Sequence, residues 1–523
     1  MPVDTVHDLY ARYKPEWEKT RDTAQGQVRI HQRTTTYLPI LDGESDEEYN
    51  ARLKRSLFFS ATSRTVEGLS GMIFRKEPEI TAPESLAEWM KDVTSDGVDH
   101  TEFARRGVEE VLLTGRAGFL VDFPEVETDE EGTEILLTVA EAQRARRVPF
   151  LRRYTAESII NWREKRLPSG AWGLALVILE EEYEEQDADD EFNFTNERQY
   201  RVLDLNEEGQ YRQRLFRLES SGGAVASQAD MRATSTRGLK SRVDSWVPIS
   251  EIVPMFNGRP LDYVPFVFLS PSGNTPDIQK PPLLDMIDVN LQHYRVSSDY
   301  YHGLHYVGLP TPYVTGVSSE EAEELDSIGP QTRWAISNSD AQVGYLQVDA
   351  NGFKMLQEEM TKLEHRMAVL GARILAPNEK ASAESGLALS IRSNSENSVL
   401  ISIAQSVSNA MEVALKIAAE WMGIAERDVV YKLNQDFVVD KIDAPLLTAW
   451  VAAYQSGSIS YEMFFNGLKG GEVIPAERTL EAEMEAIEND RAALGELNLA
   501  DAPEDAASRR RGRVDNSSND GEA

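Results

Sequence analysis

Cysteine is absent from the 523 residues, which excludes disulfides, thiolate metal sites and cysteine nucleophiles and makes a reducing intracellular compartment the natural expectation. Long apolar runs are missing as well. The longest, Trp172 to Leu179 and Leu446 to Tyr454, fall well short of the ~18 residues that a membrane span needs, so a soluble protein is expected. The N-terminus, Met1-Pro2-Val3-Asp4, has no basic region followed by an apolar one, and no signal peptide is expected. Positive charge is scarce. With 54 basic and 88 acidic side chains the formal charge is 54 − 88 = −34, which argues against a surface that wraps nucleic acid by neutralising phosphates. DNA passing nearby without sticking is compatible with it.

Signatures of catalysis are missing too. A phosphate-binding loop requires Gly-x-x-x-x-Gly-Lys-Ser/Thr so that backbone amides cradle phosphates, and Gly467-Leu468-Lys469-Gly470-Gly471 lacks that order and reads as a helix-ending turn. No Gly-x-Ser-x-Gly elbow occurs. His302-x-x-His305 puts two imidazoles on one helical face, but two ligands without an intervening glutamate do not make a zinc peptidase site. The acidic stretch Glu180 to Glu191 lacks the alternating ligands and central glycine of a calcium loop and reads as solvated loop. Carboxylates are too abundant for any pair to be singled out as an acid-base site. No metal and no cofactor are expected.

What is present is a large foldable chain, 41% hydrophobic, which by length alone should divide into three or four units. Its most informative stretch is 353–422. Phe353, Leu356, Met360, Leu363, Met367 and Leu370 recur at spacings of 3, 4, 3, 4 and 3, the seam of a packed helix. Pro377, Asn378 and Ser382 break it, and a second periodic run from Leu387 to Met422 stops at Gly423. A rod of roughly 50 Å is more than most monomeric domains need, and it suits copies aligned around an axis.

Elsewhere, Ser45-Asp46-Glu47-Glu48 forms a capping box opening a helix expected to run past Arg64. A second helix, Glu102 to Leu113, should end near Gly115 and lead into a strand at Ala117 to Phe123. Strands are then expected at 148–153, 158–162, 172–180, 199–205, 211–218 and 263–269, with short gaps that favour antiparallel pairing, and with a mobile insertion at 220–242. Leu284, Ile287, Leu291 and Tyr294 predict another helix, ended by Gly308 and Pro310. A compact unit follows, with strands near Tyr313, at 333–336 and at 343–348, and a short helix capped at Ser318. After a β segment at 428–439, helices are expected at 445–454, 461–468 and 481–489, with Ser460 capping the second. The patternless end carries Arg509-Arg510-Arg511-Gly512-Arg513 and is expected to be disordered. The class is α+β.

Taken in order, several stretches resemble the portal protein family of tailed double-stranded DNA bacteriophages. They are Tyr37-Leu38-Pro39, Glu48-Tyr49-x-x-Arg52-Leu53, Arg64-Thr65-Val66-Glu67-Gly68 to Phe74-Arg75-Lys76, and Leu113-Thr114-Gly115-Arg116-Ala117-Gly118. Pro265-Phe266-Val267, Pro282-Leu283-Leu284-Asp285 to His293-Tyr294, Ser385-Gly386-Leu387-Ala388 and the turn Gly457-Ser458-Ile459-Ser460 complete the set. The similarity runs over about 37–480 and contains no catalytic signature.

The resemblance implies a dodecameric ring around a DNA channel. By it, 1–282 is a wing with helices and an antiparallel sheet, 283–305 and 349–375 are stem helices, and 306–348 is a small α/β clip. Residues 376–386 become a tunnel loop, 387–440 a long wing helix and its return, 441–492 a helical crown, and 493–523 a disordered tail. The implied role is a channel at one capsid vertex of the virion for DNA packaging and ejection, assembled in the host cytoplasm, with no enzymatic activity. The implied partners are further copies of the chain, double-stranded DNA, the terminase motor, major capsid and scaffolding proteins, and head-completion or adaptor proteins, with no membrane. Arg373, Asn378, Lys380 and Ser382 are the candidate DNA-facing residues of the loop. Glu320, Glu321, Glu323 and Glu324 are candidate clip contacts, or a solvated helix face. The residues alone leave two alternatives open, a metal-dependent DNA-processing enzyme and a scaffold or adaptor that forms no ring.

Overall fold

The first helix, α1 (Asp8–Gln25), carries Pro15 within it and buries Trp17 completely. This computed structural model describes residues 2–124, 148–166, 170, 172–186, 190, 192–219, 245–256, 259–308, 311–319, 336, 339–346, 351–372, 386–424, 429–435, 437, 444–470, 473–474 and 478–489. After α2 (Gln27–Gln32) comes α3 (Asp46–Arg55), opened by the expected box: the Ser45 hydroxyl accepts from the Glu48 amide and the Glu48 carboxylate accepts from that of Ser45. The helix does not run past Arg64. It stops at Ser56, which is extended, and α4 (Ala61–Ile73) starts afresh. The cause is tertiary. The Ser56 hydroxyl lies 2.8 Å from that of Ser298, and Phe58 and Phe59 in the break pack against the rings of Tyr294 and His293.

Next come β1 (Glu79–Thr81), α5 (Glu84–Trp89) and α6 (His100–Thr114), the last capped by the Asp99 carboxylate and ended by Gly115 at φ +69°. Strand β2 (Ala117–Asp122) is buried throughout and lies between β3 (Phe150–Thr155) and a later strand. A five-stranded antiparallel meander follows: β4 (Ile159–Arg166), β5 (Trp172–Gln186), β6 (Phe194–Leu205), β7 (Tyr211–Glu219) and β8 (Ser245–Ile252). Strands β9 (Met255–Phe256) and β10 (Arg259–Pro260) form a small pair, and β11 (Phe266–Leu269) completes the sheet around β2.

The acidic stretch from Glu180 is therefore strand as far as Gln186, where loop was expected. Glu181 accounts for this: its carboxylate is 2.7 Å from Arg201 Nε and accepts from Tyr154 and Gln199 at 2.6 and 2.8 Å. Cross-strand pairing thus overrides composition. Strand β8 went unforeseen because Pro248 marks it against pairing, a residue tolerated at this sheet edge. The insertion at 220–242 lies outside the described residues.

Helix α7 (Leu284–Gly308) precedes β12 (Thr311–Thr315) and β13 (Gln342–Leu346), which pair antiparallel. Helix α8 (Asn351–Met367) continues into a π-helical turn, Ala368–Ala372. Helix α9 (Gly386–Trp421) spans 36 residues and ends before Gly423, whose φ is +68°. Strand β14 (Val430–Lys432) returns to pair with β1. Length suggested three or four units, but the chain divides into two, Met1–Gln435 and Asp436–Ala523. Helix α9, which packs against α6, β2, β11 and β14, ties the first together.

The second unit contains α10 (Ala444–Gln455), α11 (Tyr461–Gly470) and a third helix, α12, over 480–489. Ser460 caps α11 as expected, accepting from the Met463 amide at 3.1 Å. Tyr454 stacks on Phe464 at 5.0 Å, and Gly467 lets α11 approach Trp450.

Candidate functional site

The first helix of the stretch that the sequence singles out, α8, packs antiparallel against α7, which is anchored in the N-terminal body. Leu284, Ile287, Leu291 and Tyr294 are all buried, so the 3, 4, 3 spacing marks the inward face of α7. Contacts between the helices keep a constant register. Met286 meets Gly371, His293 Nε2 lies 3.3 Å from a Glu364 carboxylate oxygen, and Gly303 meets the ring of Phe353. The residue numbers in these pairs sum to 657, 657 and 656, as antiparallel packing requires. A Cβ on Gly303 would lie 2.5 Å from the Phe353 ring, so the close approach needs glycine.

The seam on α8 holds for five of its six positions. Leu363 and Met367 are buried, and Phe353, Leu356 and Met360 are half-buried, but Leu370 is 50% exposed. A π turn advances less per residue than an α turn, so from Ala368 onward the contact face shifts. Gly371 rather than Leu370 then faces Met286.

The opposite side of α7 is held by the N-terminal helices through polar contacts. Lys19 pairs with Asp288 at 2.6 Å, Arg295 Nε donates to the Tyr37 carbonyl at 3.1 Å, and the Ser297 hydroxyl donates to that of Leu57 at 3.0 Å. Arg52 is the centre of this clamp. It is 1% exposed, makes a two-pronged ion pair with Glu44, and donates to the Pro39 carbonyl and the Ser298 hydroxyl. The Arg52 guanidinium holds the Glu44 carboxyl below its usual range. Burial pushes Asp299 up, and burial with Arg52 and Arg55 pushes His302 down. His305 Nε2 lies 3.0 Å from an Arg55 nitrogen. Among the described residues no group of three or more His, Asp or Glu side chains is placed to hold a metal ion.

The long helix α9 corrects an expectation. Leu400, Ile403, Ala404, Val407, Ala410, Met411, Ala414, Leu415 and Ala418 are all buried inside the first unit. Asn274 Nδ2 donates to the Ser406 carbonyl at 3.0 Å, and the Ser408 hydroxyl accepts from the Leu433 amide at 2.9 Å. From Leu400 on, the rod is core of the single chain and needs no neighbouring copy to explain it.

Several predicted site residues lie outside the described residues: Arg373, Asn378, Lys380 and Ser382 of the break, and Glu320, Glu321, Glu323 and Glu324. The clamp was missed as such, yet its parts were in view. Tyr37-Leu38-Pro39, Tyr49, Arg52 and Tyr294 belong to the quoted stretches, and all but Pro39 have buried side chains. Arg116, in another of them, is 1% exposed, lies over the rings of Trp162 and Phe268 at 4.0 and 4.6 Å, and donates to the Pro276 carbonyl.

A family model described as Domain of unknown function (DUF4055) matches residues 282–422, from the start of α7 to the end of α9. No curated protein matches the chain. Among solved structures it is similar, at 10% identity and a TM-score of 0.37, to a chain of "Neck of native GTA particle computed with C12 symmetry", covering 77% of this chain and 88% of that one. A chain of "Virion of native gene transfer agent (GTA) particle" gives 9% identity and a TM-score of 0.35, covering 80% and 92%. A chain of "Neck of empty GTA particle computed with C6 symmetry" gives 10% identity and 0.34, with the same coverage. Among the described residues no helix is long and apolar enough to cross a membrane.

Proposed function

We propose that the chain is the subunit of a portal-type ring, a channel at one capsid vertex through which a packaging motor drives double-stranded DNA and at which head-completion proteins later dock. The observation that carries this reading is the order of parts over 284–421. An antiparallel helix pair, rooted at one end in the N-terminal body, encloses in sequence a small antiparallel β pair and is followed by a 36-residue helix. In the portal reading these are stem, clip, stem and wing helix, the sheets are wing, and α10 to α12 belong to the crown. The charge of −34 fits a channel that lets DNA slide, because tight phosphate binding through counterion release would hold it.

The segment between α8 and α9 would then be the tunnel loop, with Arg373, Asn378, Lys380 and Ser382 meeting the DNA backbone. Glu320, Glu321, Glu323 and Glu324 would face the motor or an adaptor. Electron microscopy of the purified protein tests the ring. Uniform particles with a central hole support it, and a strictly monomeric species at all concentrations, with capsid partners present, overturns it. Lys380→Ala, or a shortened 376–385, should impair DNA packaging while rings still assemble, whereas disrupting Leu356, Met360 and Leu363 should damage the ring itself.

A further inference from the structure

Among the described residues, the five-stranded sheet has one part in which only two strands pair, touched from β7 by Arg217 over the Tyr183 ring at 3.8 Å. The last pair between β4 and β5 is Ile159 with Leu179, and the outermost pair between β6 and β7 is Gln199 with Arg217. Beyond these, β5 and β6 pair only with each other, from Glu182 opposite Arg198 to Gln186 opposite Phe194. This two-stranded arm covers 186 − 181 = 5 residues of β5, about 17 Å at ~3.4 Å per residue. A lone pair of strands is marginal in water. Its tip also exposes aromatic surface, with Phe192 84% and Phe194 52% accessible. The arm is acidic: over 182–198 the sequence has eight acidic residues and one basic, Arg198.

The opposite end of the same strand has the complementary chemistry. Trp172 is 72% exposed and pairs with Arg166, at the end of β4, where Arg163, Lys165 and Arg166 surround the single acid Glu164. Arg163 and Arg166 are exposed. The N-terminal segment covers only the first part of β4, through His7 N–H to the Ile160 carbonyl at 2.9 Å and Asn161 Nδ2 to the Thr5 carbonyl at 2.8 Å. Tip and base are separated by 186 − 172 = 14 residues, about 48 Å along the strand, so a chain cannot dock its own tip on its own base.

We propose that the acidic, aromatic tip of the β5–β6 arm docks on the basic, Trp172-bearing base of β4 and β5 in a second copy of this chain. Exposed Trp and Arg are the residue types that anchor interfaces, and opposite charges at the rim guide the encounter. The contact joins two different patches, so it runs head to tail, which builds a ring when the rotation closes and a filament when it does not. It rests on the ring reading and adds a grip between neighbours that is separate from the helix pair.

The chain has no cysteine of its own, so the variant Trp172→Cys with Phe194→Cys can form disulfides only through the two introduced thiols, and the intrachain distance forbids them within one copy. Oxidation should give a ladder of cross-linked multimers, and neither single-cysteine variant should. Reversing the arm charges (Glu182→Arg with Glu184→Arg) or the base charges (Arg163→Glu with Arg166→Glu) should raise the concentration at which half the chains assemble about tenfold. Combining both reversals should restore it. Closed rings that form normally in both reversed variants and give no ladder overturn the arm contact and leave the ring reading standing. Cross-linked open chains without closed rings uphold the contact and overturn the ring, and monomers without a ladder overturn both.

Discussion

Gly115 shows how much one residue decides. It ends α6 in the left-handed region, and a Cβ there would lie 3.0 and 3.2 Å from the carbonyls of Gln279 and Lys280, backbone that cannot step aside. Gly115→Ala should therefore cost more than the ~1–2 kcal/mol of the left-handed conformation alone. Gly209→Ala, at φ +81° with nothing within 4 Å, should show only that conformational part, and thermal midpoints of the two variants test the difference. His293 makes a second case. Burial holds it below its ordinary value despite the hydrogen bond to Glu364, so it binds fewer protons folded than unfolded. Such a group costs nothing above its free pKa of about 6.5 and destabilises progressively as pH falls below it. The melting temperature should accordingly drop less from neutral pH into the mildly acidic range in His293→Asn than in the parent. Glycines at helix ends were legible because the backbone alone demands them. The burial of Arg52 and Arg116 was not, because an arginine reads as solvent-facing until its partners, Glu44 or two aromatic rings, arrive from elsewhere in the chain.

At the scale of elements, periodicity read true wherever the backbone stayed α-helical. Leu284, Ile287, Leu291 and Tyr294 gave the inward face of α7, and the seam on α8 held to Met367. It failed at the π turn, which no spacing rule anticipates. The contrast is measurable: Leu363→Ala, at a site 3% exposed, should lower stability by about 3 kcal/mol, whereas Leu370→Ala, at one 50% exposed, should stay within about 0.5 kcal/mol. Equal losses from the two would show that the seam continues as a plain α-helix. Two further elements escaped sequence reading for one reason, that a local signal was overruled by long-range partners. Pro15 sits inside α1, whose Trp17 is fully buried, and the glutamates of β5 are ordered by cross-strand pairing with β6.

At the scale of the whole molecule, the excess of acid decides how the proposed channel would treat DNA. Twelve copies at −34 make −408 formal charges in the proposed ring, screened beyond about 8–10 Å in physiological salt. A duplex in such a channel meets few cations able to release its counterions, so it is guided more than held. A short fluorescent duplex titrated with purified protein should accordingly bind more weakly than about 10⁻⁴ M at physiological salt, the weak end of nonspecific protein–DNA affinity. Lys380→Ala should leave that figure unchanged while still impairing packaging, because one basic group per subunit adds contact without adding net affinity. Micromolar binding that weakens steeply with salt would mean that basic groups are concentrated on a surface that wraps the duplex, and the sliding-channel reading would give way to that of a DNA-holding protein.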